Sequence, residues 1–345
     1  MMWDVLFILR LLLRRKWNPP LLHHCMDFLF VIAFARFECI MIPNRLEQRR
    51  NWVPAETGKD RLTTNSVPTD LNRIGVKMKF FSYFQNGLEG ILDGFYAVWP
   101  QPFPGTEQLK SCKIVSHRGE YDNRSVYENT LPAFDSACAS GVWGIEFDIR
   151  WTKDLRPVVI HDADLKRVFG IDITVADVKL ETLRSECPQV PALAEVIQKF
   201  GQKLHLMVEI KEENYPDPAQ QNQILKECFS ALEPRMDYHL ISLTPPMFDL
   251  ITFVPASTFI PIAQWNLKRF SDLALEKKMT GLAGHYLLLN NALLTKHRAN
   301  GQKVGTGYPG SKNCLFREIN RGVEWIFSND AAKLQKLVNG LIDQE

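Results

Sequence analysis

A regular alternation of two residue patterns dominates the chain from residue 113 to residue 328. Short runs of β-branched and apolar residues alternate with longer segments in which apolar residues recur at helical spacing. Such alternation predicts a parallel sheet whose strands are joined by helices that cover it. The nine strand-like runs lie at 113–117, 144–150, 157–161, 204–211, 238–243, 258–263, 280–286, 303–307 and 324–328.

The number of these units separates two common ways of arranging a parallel sheet. About eight strand–helix units in roughly 230 residues are typical of a (β/α)8 barrel. The rival, an open doubly wound sheet, normally carries a glycine-rich phosphate loop after its first strand. The segment HRGEYDNRS, at the end of the first strand here, lacks the GxGxxG spacing of such a loop. We therefore predict a TIM barrel over residues 111–340.

The N-terminal extension, residues 1–80, differs in charge from the rest of the chain. It holds 13 Lys and Arg against 7 Asp and Glu, whereas the remaining residues hold 28 against 32. Its two apolar stretches are interrupted by charged residues and fall short of the ~18 apolar residues expected of a spanning helix. Three interpretations remain open for it. They are a weak membrane anchor through residues 1–42 with Arg14, Arg15 and Lys16 at lipid headgroups, a pair of helices packed on the barrel, and a poorly ordered extension.

Charge and cysteine content indicate which partners to exclude and which cellular compartment to expect. The mildly acidic remainder of the chain argues against non-specific binding to a phosphate backbone, so we expect no nucleic-acid partner. The seven cysteines are scattered and form no CxxC pair, which indicates free thiols in a reducing compartment rather than a disulfide framework. We therefore expect a cytoplasmic protein, possible membrane association aside, and the sequence does not indicate its oligomeric state.

Two strand-like runs carry charged residues inside apolar segments. Side chains of a strand alternate between its two faces, so Glu146 and Asp148 of GIEFDIR share one face and the apolar residues take the other. In LHLMVEIK, Glu209 and Lys211 share a face in the same way. Because the apolar face should pack beneath the helices, we expect these charged side chains to point into the barrel.

Two histidines stand at equivalent places in other strand-like runs. His117 ends KIVSH and His161 ends PVVIH, so each lies at the C-terminal end of its strand, as the charged residues do. In a TIM barrel that end carries the active site. We therefore expect four consecutive strands to deliver imidazoles, carboxylates and a lysine to one mouth.

The chemistry of this set indicates hydrolysis of a phosphate ester. Clustered carboxylates repel each other and recruit a hard cation, and Mg²⁺ or Ca²⁺ is the natural choice where no cysteine is near. Two histidines beside a cation suit general acid and base catalysis near neutral pH. Arg118 and Lys211 add positive charge for an anionic substrate. Acyl transfer would instead require an activated Ser or Cys.

Six segments resemble the glycerophosphodiester phosphodiesterase family, one of the phospholipase C-like phosphodiesterases. The resemblance covers about residues 113–335 and implies a TIM barrel with a short insertion after the third strand, at roughly 163–189. The segments, in the family's order, are HRG (117–119), ENTLPAF (128–134), GIEFDIRWTKDLRPVVIHD (144–162), VPALAEVI (190–197), VEIK (208–211) and NRGVEWIFSND (320–330).

The resemblance also implies a role for each residue that matches a family motif. His117 and His161 resemble the acid and base pair, and Arg118 and Lys211 resemble the phosphate contacts. The other implied roles are ligation of a divalent cation by Glu146, Asp148 and Glu209, bracing of the mouth by Glu128, and capping of the following helix by Asn129.

The implied reaction is metal-dependent hydrolysis of a glycerophosphodiester to glycerol 3-phosphate and an alcohol. An alternative is a phospholipase D-like or lysophospholipase phosphodiesterase acting on lipid at a membrane surface, which the apolar N-terminal extension supports. A third hypothesis, a non-catalytic barrel that binds phosphate-bearing ligands, does not explain two proton-transfer groups. One departure affects substrate identity, because VGTGYPG lacks the Trp that often lines the family's glycerol pocket and offers Tyr308 instead.

Overall fold

The structure is a computed structural model that describes residues 96–264 and 266–344, together with Gly94. The predictions for residues 1–80, including the membrane anchor through residues 1–42, lie outside the described residues. The strands are β1 (Lys113–His117), β2 (Gly144–Trp151), β3 (Pro157–Val159), β4 (His205–Ile210), β5 (Tyr238–Ser242), β6 (Phe259–Ala263), β7 (Gly281–His285), β8 (Lys303–Gly307) and β9 (Trp325–Ser328). The helices are α1 (Thr106–Lys110), α2 (Leu131–Ala139), α3 (Lys166–Phe169), α4 (Leu180–Glu186), α5 (Leu193–Phe200), α6 (Pro218–Cys228), α7 (Leu267–Glu276), α8 (Asn291–Ala299), α9 (Lys312–Asn320) and α10 (Ala331–Ile342).

Eight of these strands form a closed parallel barrel, and β3 lies outside it. The order around the barrel is β1, β9, β8, β7, β6, β5, β4 and β2, and a parallel pairing of β2 with β1 closes it. Helices connect most successive strands and pack on the outside, so the predicted (β/α)8 barrel is confirmed. In the described ranges, no helix combines the length and the apolar character needed to cross a bilayer.

The third strand departs from the sequence-based expectation. β3 pairs antiparallel with β2, so the expectation that residues 157–161 form a parallel strand of the barrel is wrong. Only residues 152–156 separate the two strands, whereas a parallel crossover needs about a dozen residues or more. His161 therefore follows a short hairpin strand beside β2 and does not stand on a barrel strand of its own.

The predicted insertion follows β3 and has a small apolar core of its own. It contains α3, a 3₁₀ turn at Val175–Asp177 and α4. Val158, Leu165 and Leu183 are among the side chains that bury each other there. This core anchors the insertion beside β2, at the side of the barrel to which His161 belongs.

The two faces of the barrel strands bury different residues, as the period of two predicts. In β2, Ile145, Phe147 and Ile149 belong to the large core between the strands and the helices. Glu146 and Asp148 alternate with them and are buried on the inner face. A separate apolar layer fills the middle of the barrel, and its members are Val115, Met207, Ile241, Ile260, Ala283, Trp325 and Phe327.

The N-terminal end of the barrel interior holds a pair of buried histidines. His205 Nδ1 lies 2.9 Å from the Met236 carbonyl oxygen, and His205 Nε2 lies 2.7 Å from His239 Nδ1. Because a carbonyl only accepts, His205 carries its proton on Nδ1 and accepts from His239 through Nε2. Trp143 stacks on His205 with ring centroids 4.2 Å apart, and Trp325 meets His239 edge-on.

Candidate active site

The register of three neighbouring strands assembles a cluster of ionisable residues at the opposite, C-terminal end. Parallel pairing sets His117 of β1 beside Glu146 of β2. The pairing of β2 with β4 sets Asp148 beside Glu209. Lys211 follows the last residue of β4 and shares the inward direction of Glu209. The polar residues predicted for these strands therefore meet at one mouth.

Three carboxylates form the centre of the mouth. Glu146, Asp148 and Glu209 are all buried, and one oxygen of each lies within 4.8 Å of the others. Lys211 Nζ lies 3.1 Å from Asp148 Oδ1 and 2.8 Å from Glu209 Oε1. Glu146 Oε2 is different, because it is buried and accepts no hydrogen bond from any described residue. An acidic triad with one unpartnered oxygen can hold a metal ion.

Burial and mutual repulsion separate the pKa values of these carboxyls. Burial, followed by the charges of Asp148 and Glu209, raises the pKa of Glu146 well above its ordinary value. Burial and Asp148 likewise raise the pKa of Glu209 to about 7. Burial also opposes ionisation of Asp148, but the charges of Lys211 and Arg118 outweigh it and lower the pKa of that carboxyl. Two of the three carboxyls therefore resist ionisation unless a further positive charge joins them.

Arg118 is the second cation of the mouth and has a constrained position. Its backbone takes φ 61°, in the left-handed region that is uncommon for a residue with a side chain, and its N–H donates to the Glu146 carbonyl at 2.8 Å. The guanidinium donates from Nη1 to Glu128 Oε1 at 3.0 Å. Its Nε lies 3.3 Å from Asp148 Oδ2 without forming a well-aligned hydrogen bond. This Nε–H is therefore a buried donor beside Asp148 that has no hydrogen-bond partner among the described residues.

His117 is held by one ring nitrogen and faces the carboxylates with the other. Nδ1 lies 2.7 Å from Asn329 Oδ1, an oxygen that accepts, so Nδ1 carries the proton. Nε2 lies 3.7 Å from Glu146 Oε2 and 3.5 Å from the Tyr308 hydroxyl. Burial, and then the charge of Arg118, lower the pKa of His117 to about 4. This shift favours the neutral imidazole at pH 7, in which Nε2 is unprotonated and can accept a proton.

His161 reaches the same mouth from the segment after β3. Its Nδ1 lies 2.6 Å from Asp162 Oδ1, and its carbonyl accepts from Arg150 Nε at 2.7 Å. Burial is the largest cause that lowers its pKa, and Arg118 and Lys211 lower it further against the opposing charge of Asp148. The structure thus brings both predicted imidazoles to the carboxylate cluster, although one of them comes from outside the barrel.

Glu128 and Asn129, which were expected to brace the mouth and to cap the following helix, both lie at the mouth. Asn129 has a different task from the one expected. Glu128 is buried and accepts from Arg118 and from Asn123 Nδ2 at 2.8 Å. Asn129 was expected to cap the following helix, but the residue at the start of α2 is Thr130. Asn129 Nδ2 instead donates to Asp148 Oδ2 at 2.9 Å, because its φ of 59° turns the side chain inward.

Sequence reasoning missed two residues that touch this set. Asn329, which orients His117, follows directly on β9, so its place at a strand end was a usable signal. Arg167 lies in α3 of the insertion and hydrogen-bonds both Asp162 and Glu128. No spacing or periodicity marks Arg167 as part of the mouth. Tyr308, which was singled out in the sequence, contacts the His117 ring at a centroid distance of 4.8 Å.

The acidic residues, imidazoles and cations of this closed parallel barrel lie at its C-terminal mouth, the end at which TIM-barrel enzymes carry their active sites. Comparison with known proteins indicates which family this chain resembles. The sequence model of the glycerophosphoryl diester phosphodiesterase family matches residues 117–246. The family model therefore agrees with the resemblance drawn from the six sequence segments over this part of the chain.

Individual relatives agree with this family. A glycerophosphodiester phosphodiesterase of Caldanaerobacter subterraneus subsp. tengcongensis is 27% identical over 240 residues, which cover 65% of this chain and 97% of that protein. A lysophospholipase D, GDPD1, of Homo sapiens is 33% identical over 119 residues, covering 34% of this chain and 32% of that protein. Among solved structures, an Oleispira antarctica phosphodiesterase in complex with sn-glycerol-3-phosphate superposes with a TM-score of 0.54, at 18% identity, over 66% of this chain and 96% of that one.

Proposed function

We propose that this protein hydrolyses glycerophosphodiesters to glycerol 3-phosphate and an alcohol in a metal-dependent reaction. One observation carries the proposal: three buried carboxylates with oxygens within 4.8 Å of one another share the mouth of the barrel with two imidazoles and two cations. The family match, and relatives whose names state this activity, support it.

The carboxylate cluster fits a divalent cation. Glu146, Asp148 and Glu209 supply hard oxygen donors, and the buried, unpartnered Glu146 Oε2 is a polar atom that a cation would satisfy. Mg²⁺ and Ca²⁺ both suit such a donor set. When bound, the cation polarises the phosphoryl oxygens and offsets the charge that develops on them.

The remaining residues bind the phosphodiester and move its protons. Arg118 and Lys211 offer N–H donors and positive charge to the phosphoryl oxygens. One imidazole of the pair His117 and His161 takes the proton of the attacking hydroxyl, which belongs to water or to the neighbouring glycerol hydroxyl. The other, protonated on both ring nitrogens when the substrate binds, gives its Nε2 proton to the departing alkoxide as the phosphorus–oxygen bond breaks. Both rings are anchored through Nδ1, so each has Nε2 available for this task.

A substrate panel tests the function. The full chain is incubated with glycerophosphocholine, glycerophosphoethanolamine and glycerophosphoinositol, and glycerol 3-phosphate is measured with a coupled assay. We expect release of glycerol 3-phosphate that EDTA abolishes and that added Mg²⁺ or Ca²⁺ restores. Activity that is insensitive to EDTA would remove the metal from the proposal. No release from any of these diesters would contradict the proposed reaction.

A second candidate function is a lysophospholipase D-like reaction on lipid. The match to the human lysophospholipase D supports it, and the chemistry of the mouth would be the same. Lysophospholipids in the same panel distinguish the two substrate classes, because this candidate requires turnover of lysolipid above that of the water-soluble diesters. Co-sedimentation with anionic vesicles, compared between the full chain and a chain that starts at Met78, tests membrane association through residues 1–42.

A further inference from the structure

The insertion places one guanidinium at the rim of the mouth. Arg167 of α3 reaches two carboxylates on separate segments of the chain, Asp162 and Glu128. Four hydrogen bonds hold it there, two to each carboxylate. Its side chain is 48% exposed, so burial does not explain its placement. The contacts themselves define its position.

On one side, Arg167 fixes the residue that orients an imidazole. Arg167 Nε donates to Asp162 Oδ2 at 2.6 Å, and Nη2 donates to Asp162 Oδ1 at 3.2 Å. The same Oδ1 lies 2.6 Å from His161 Nδ1. An ionised carboxylate accepts, so Nδ1 carries the proton and Nε2 is left for the substrate. The guanidinium therefore holds the carboxylate in the orientation that selects this tautomer.

On the other side, Arg167 fixes a residue that holds the substrate-facing cation. Arg167 Nη1 and Nη2 donate to Glu128 Oε2 and Oε1 at 3.0 and 2.6 Å. Glu128 is buried, and its Oε1 also accepts from Arg118 Nη1 at 3.0 Å. Planar, two-point pairing of guanidinium with carboxylate fixes direction as well as distance. Loss of Arg167 would free Glu128 to turn with Arg118 as its remaining guanidinium partner.

The insertion contains a second arginine that makes a comparable pair without touching the mouth. Arg184 of α4 donates from Nη1 and Nη2 to the two oxygens of Glu195 in α5, at 2.5 and 3.2 Å. Its side chain is 34% exposed. Arg184 attaches the insertion to the barrel, as Arg167 does, but it does not contact the mouth. A variant of Arg184 is therefore a control that distinguishes a role in the active site from a role in attaching the insertion.

We propose that Arg167 is a positioning residue, through which the insertion sets the His161 tautomer and the direction of the Arg118 guanidinium together. The chain of contacts runs from His161 through Asp162, Arg167 and Glu128 to Arg118. The insertion is then a working part of the active site rather than a surface addition. The kinetic part of this inference rests on the proposed function.

Steady-state kinetics of three variants test it. Arg167→Met should lower kcat by ~10²-fold, the size expected when a supporting residue no longer holds a catalytic group in place. Arg167→Lys keeps the charge but not the two-point geometry, so it should recover only part of that loss. Arg184→Met should leave kcat and KM within about two-fold of the parent. It should lower the melting temperature by about as much as Arg167→Met does. Equal losses in Arg167→Met and Arg184→Met would assign Arg167 a merely structural role.

The tautomer of His161 supplies a readout that does not depend on activity. Long-range ¹⁵N–¹H spectra, assigned with a His161→Gln variant, should show the parent ring protonated on Nδ1. In Arg167→Met the spectrum should shift towards the Nε2-protonated form, and in Arg184→Met it should match the parent. An unchanged His161 spectrum in Arg167→Met overturns the inference, whatever the kinetics show.

The two readouts also separate failure of this inference from failure of the proposed function. A parent chain that releases no glycerol 3-phosphate contradicts the proposed reaction, and the tautomer experiment still decides the role of Arg167. An active parent whose Arg167→Met variant has unchanged kcat contradicts the positioning role alone.

Discussion

The two ends of one barrel interior bury polar groups in opposite ways. At the C-terminal mouth, Glu146, Asp148 and Glu209 lie together with cations, and one carboxylate oxygen has no hydrogen-bond partner among the described residues. At the N-terminal end, His205 and His239 satisfy each other and are enclosed by tryptophan rings. At the mouth, the clustered carboxylates repel one another when they are ionised. At the N-terminal end, both imidazoles are neutral, so there is no such repulsion.

This contrast indicates which end serves stability and which end serves chemistry. Buried polar groups that are fully paired rigidify a core, while a partly satisfied cluster costs stability and persists where a ligand completes it. The ends of a TIM barrel divide these tasks in the same sense. Changes to the carboxylates and imidazoles inside the mouth should therefore reduce activity with little loss of stability, and changes at the opposite end should do the reverse.

The largest effect is expected for Glu146→Gln at the mouth. The amide removes one ionised donor from the proposed cation site, and loss of several kcal/mol of transition-state stabilisation corresponds to a fall in kcat of ~10³-fold or more. Because burial and the charges of Asp148 and Glu209 already disfavour the ionised form of Glu146, a neutral amide in its place should leave the melting temperature measured in EDTA equal or higher.

The matched control for this variant is Glu324→Gln at the opposite end. Glu324 Oε1 lies 2.5 Å from Lys113 Nζ and 2.9 Å from Lys303 Nζ, far along the barrel from the proposed chemistry. This variant should lower the melting temperature and leave kcat within about two-fold of the parent. A lower melting temperature for Glu146→Gln, or a large loss of kcat for Glu324→Gln, would contradict the division between the two ends.

The next effect in size is expected for His161→Ala. Removal of a positioned general acid or base lowers kcat by roughly 10²- to 10⁴-fold. The ring is part-exposed at the mouth, so the free energy of unfolding should change by less than about 1 kcal/mol. Turnover measured on glycerophosphocholine, together with urea unfolding, checks both parts. Near-normal turnover would remove His161 from the proposed proton transfers.

A smaller effect, on stability alone, is expected for His239→Ala. The change leaves His205 Nε2 without its donor and opens space beside Trp325, which should cost about 2 kcal/mol in the free energy of unfolding. The kcat of the folded protein should remain within about two-fold of the parent. His239→Asn offers an amide N–H near the position of ring Nδ1, so it should recover part of the loss. Urea unfolding of the parent and both variants measures these differences.

Much of this architecture follows from short-range patterns in the sequence. The period of two in β2 and β4 was enough to place Glu146, Asp148, Glu209 and Lys211 on the inner face, because parallel strands deliver such residues to one end. The alternation of strands with helices was likewise enough to indicate the barrel. Both signals depend only on neighbouring residues, which a single sequence displays.

Three other features depend on contacts between distant parts of the chain, so local sequence patterns could not predict them. β3 has the composition of a buried strand, but its direction depends on the five-residue connection to β2 and on pairing. Asn129 looks like a helix cap until a left-handed backbone turns it towards Asp148. Arg167 joins the mouth only because the insertion folds back on it, and no local pattern records that contact.

The smallest and most specific expectation concerns acid stability at the histidine pair. Burial, with further contributions from Lys113 and Lys303, lowers the pKa of His205 to about 4, and the pKa of His239 falls further by burial and by the neighbouring His205.

Since both rings are neutral when folded and take up protons near pH 6.5 when unfolded, their stabilisation is complete above that pH. It is lost as the pH falls through and below 6.5, by about 1.4 kcal/mol per pH unit for each ring. His239→Asn removes one of the two titrating rings, so its free energy of unfolding should decline less steeply than that of the parent between pH 6 and pH 4.5. Titrations at the mouth are common to both proteins and cancel in this difference. Identical slopes in urea unfolding at four or five pH values would mean that the N-terminal pair is not held neutral, and the contrast between the two ends would then rest on geometry alone.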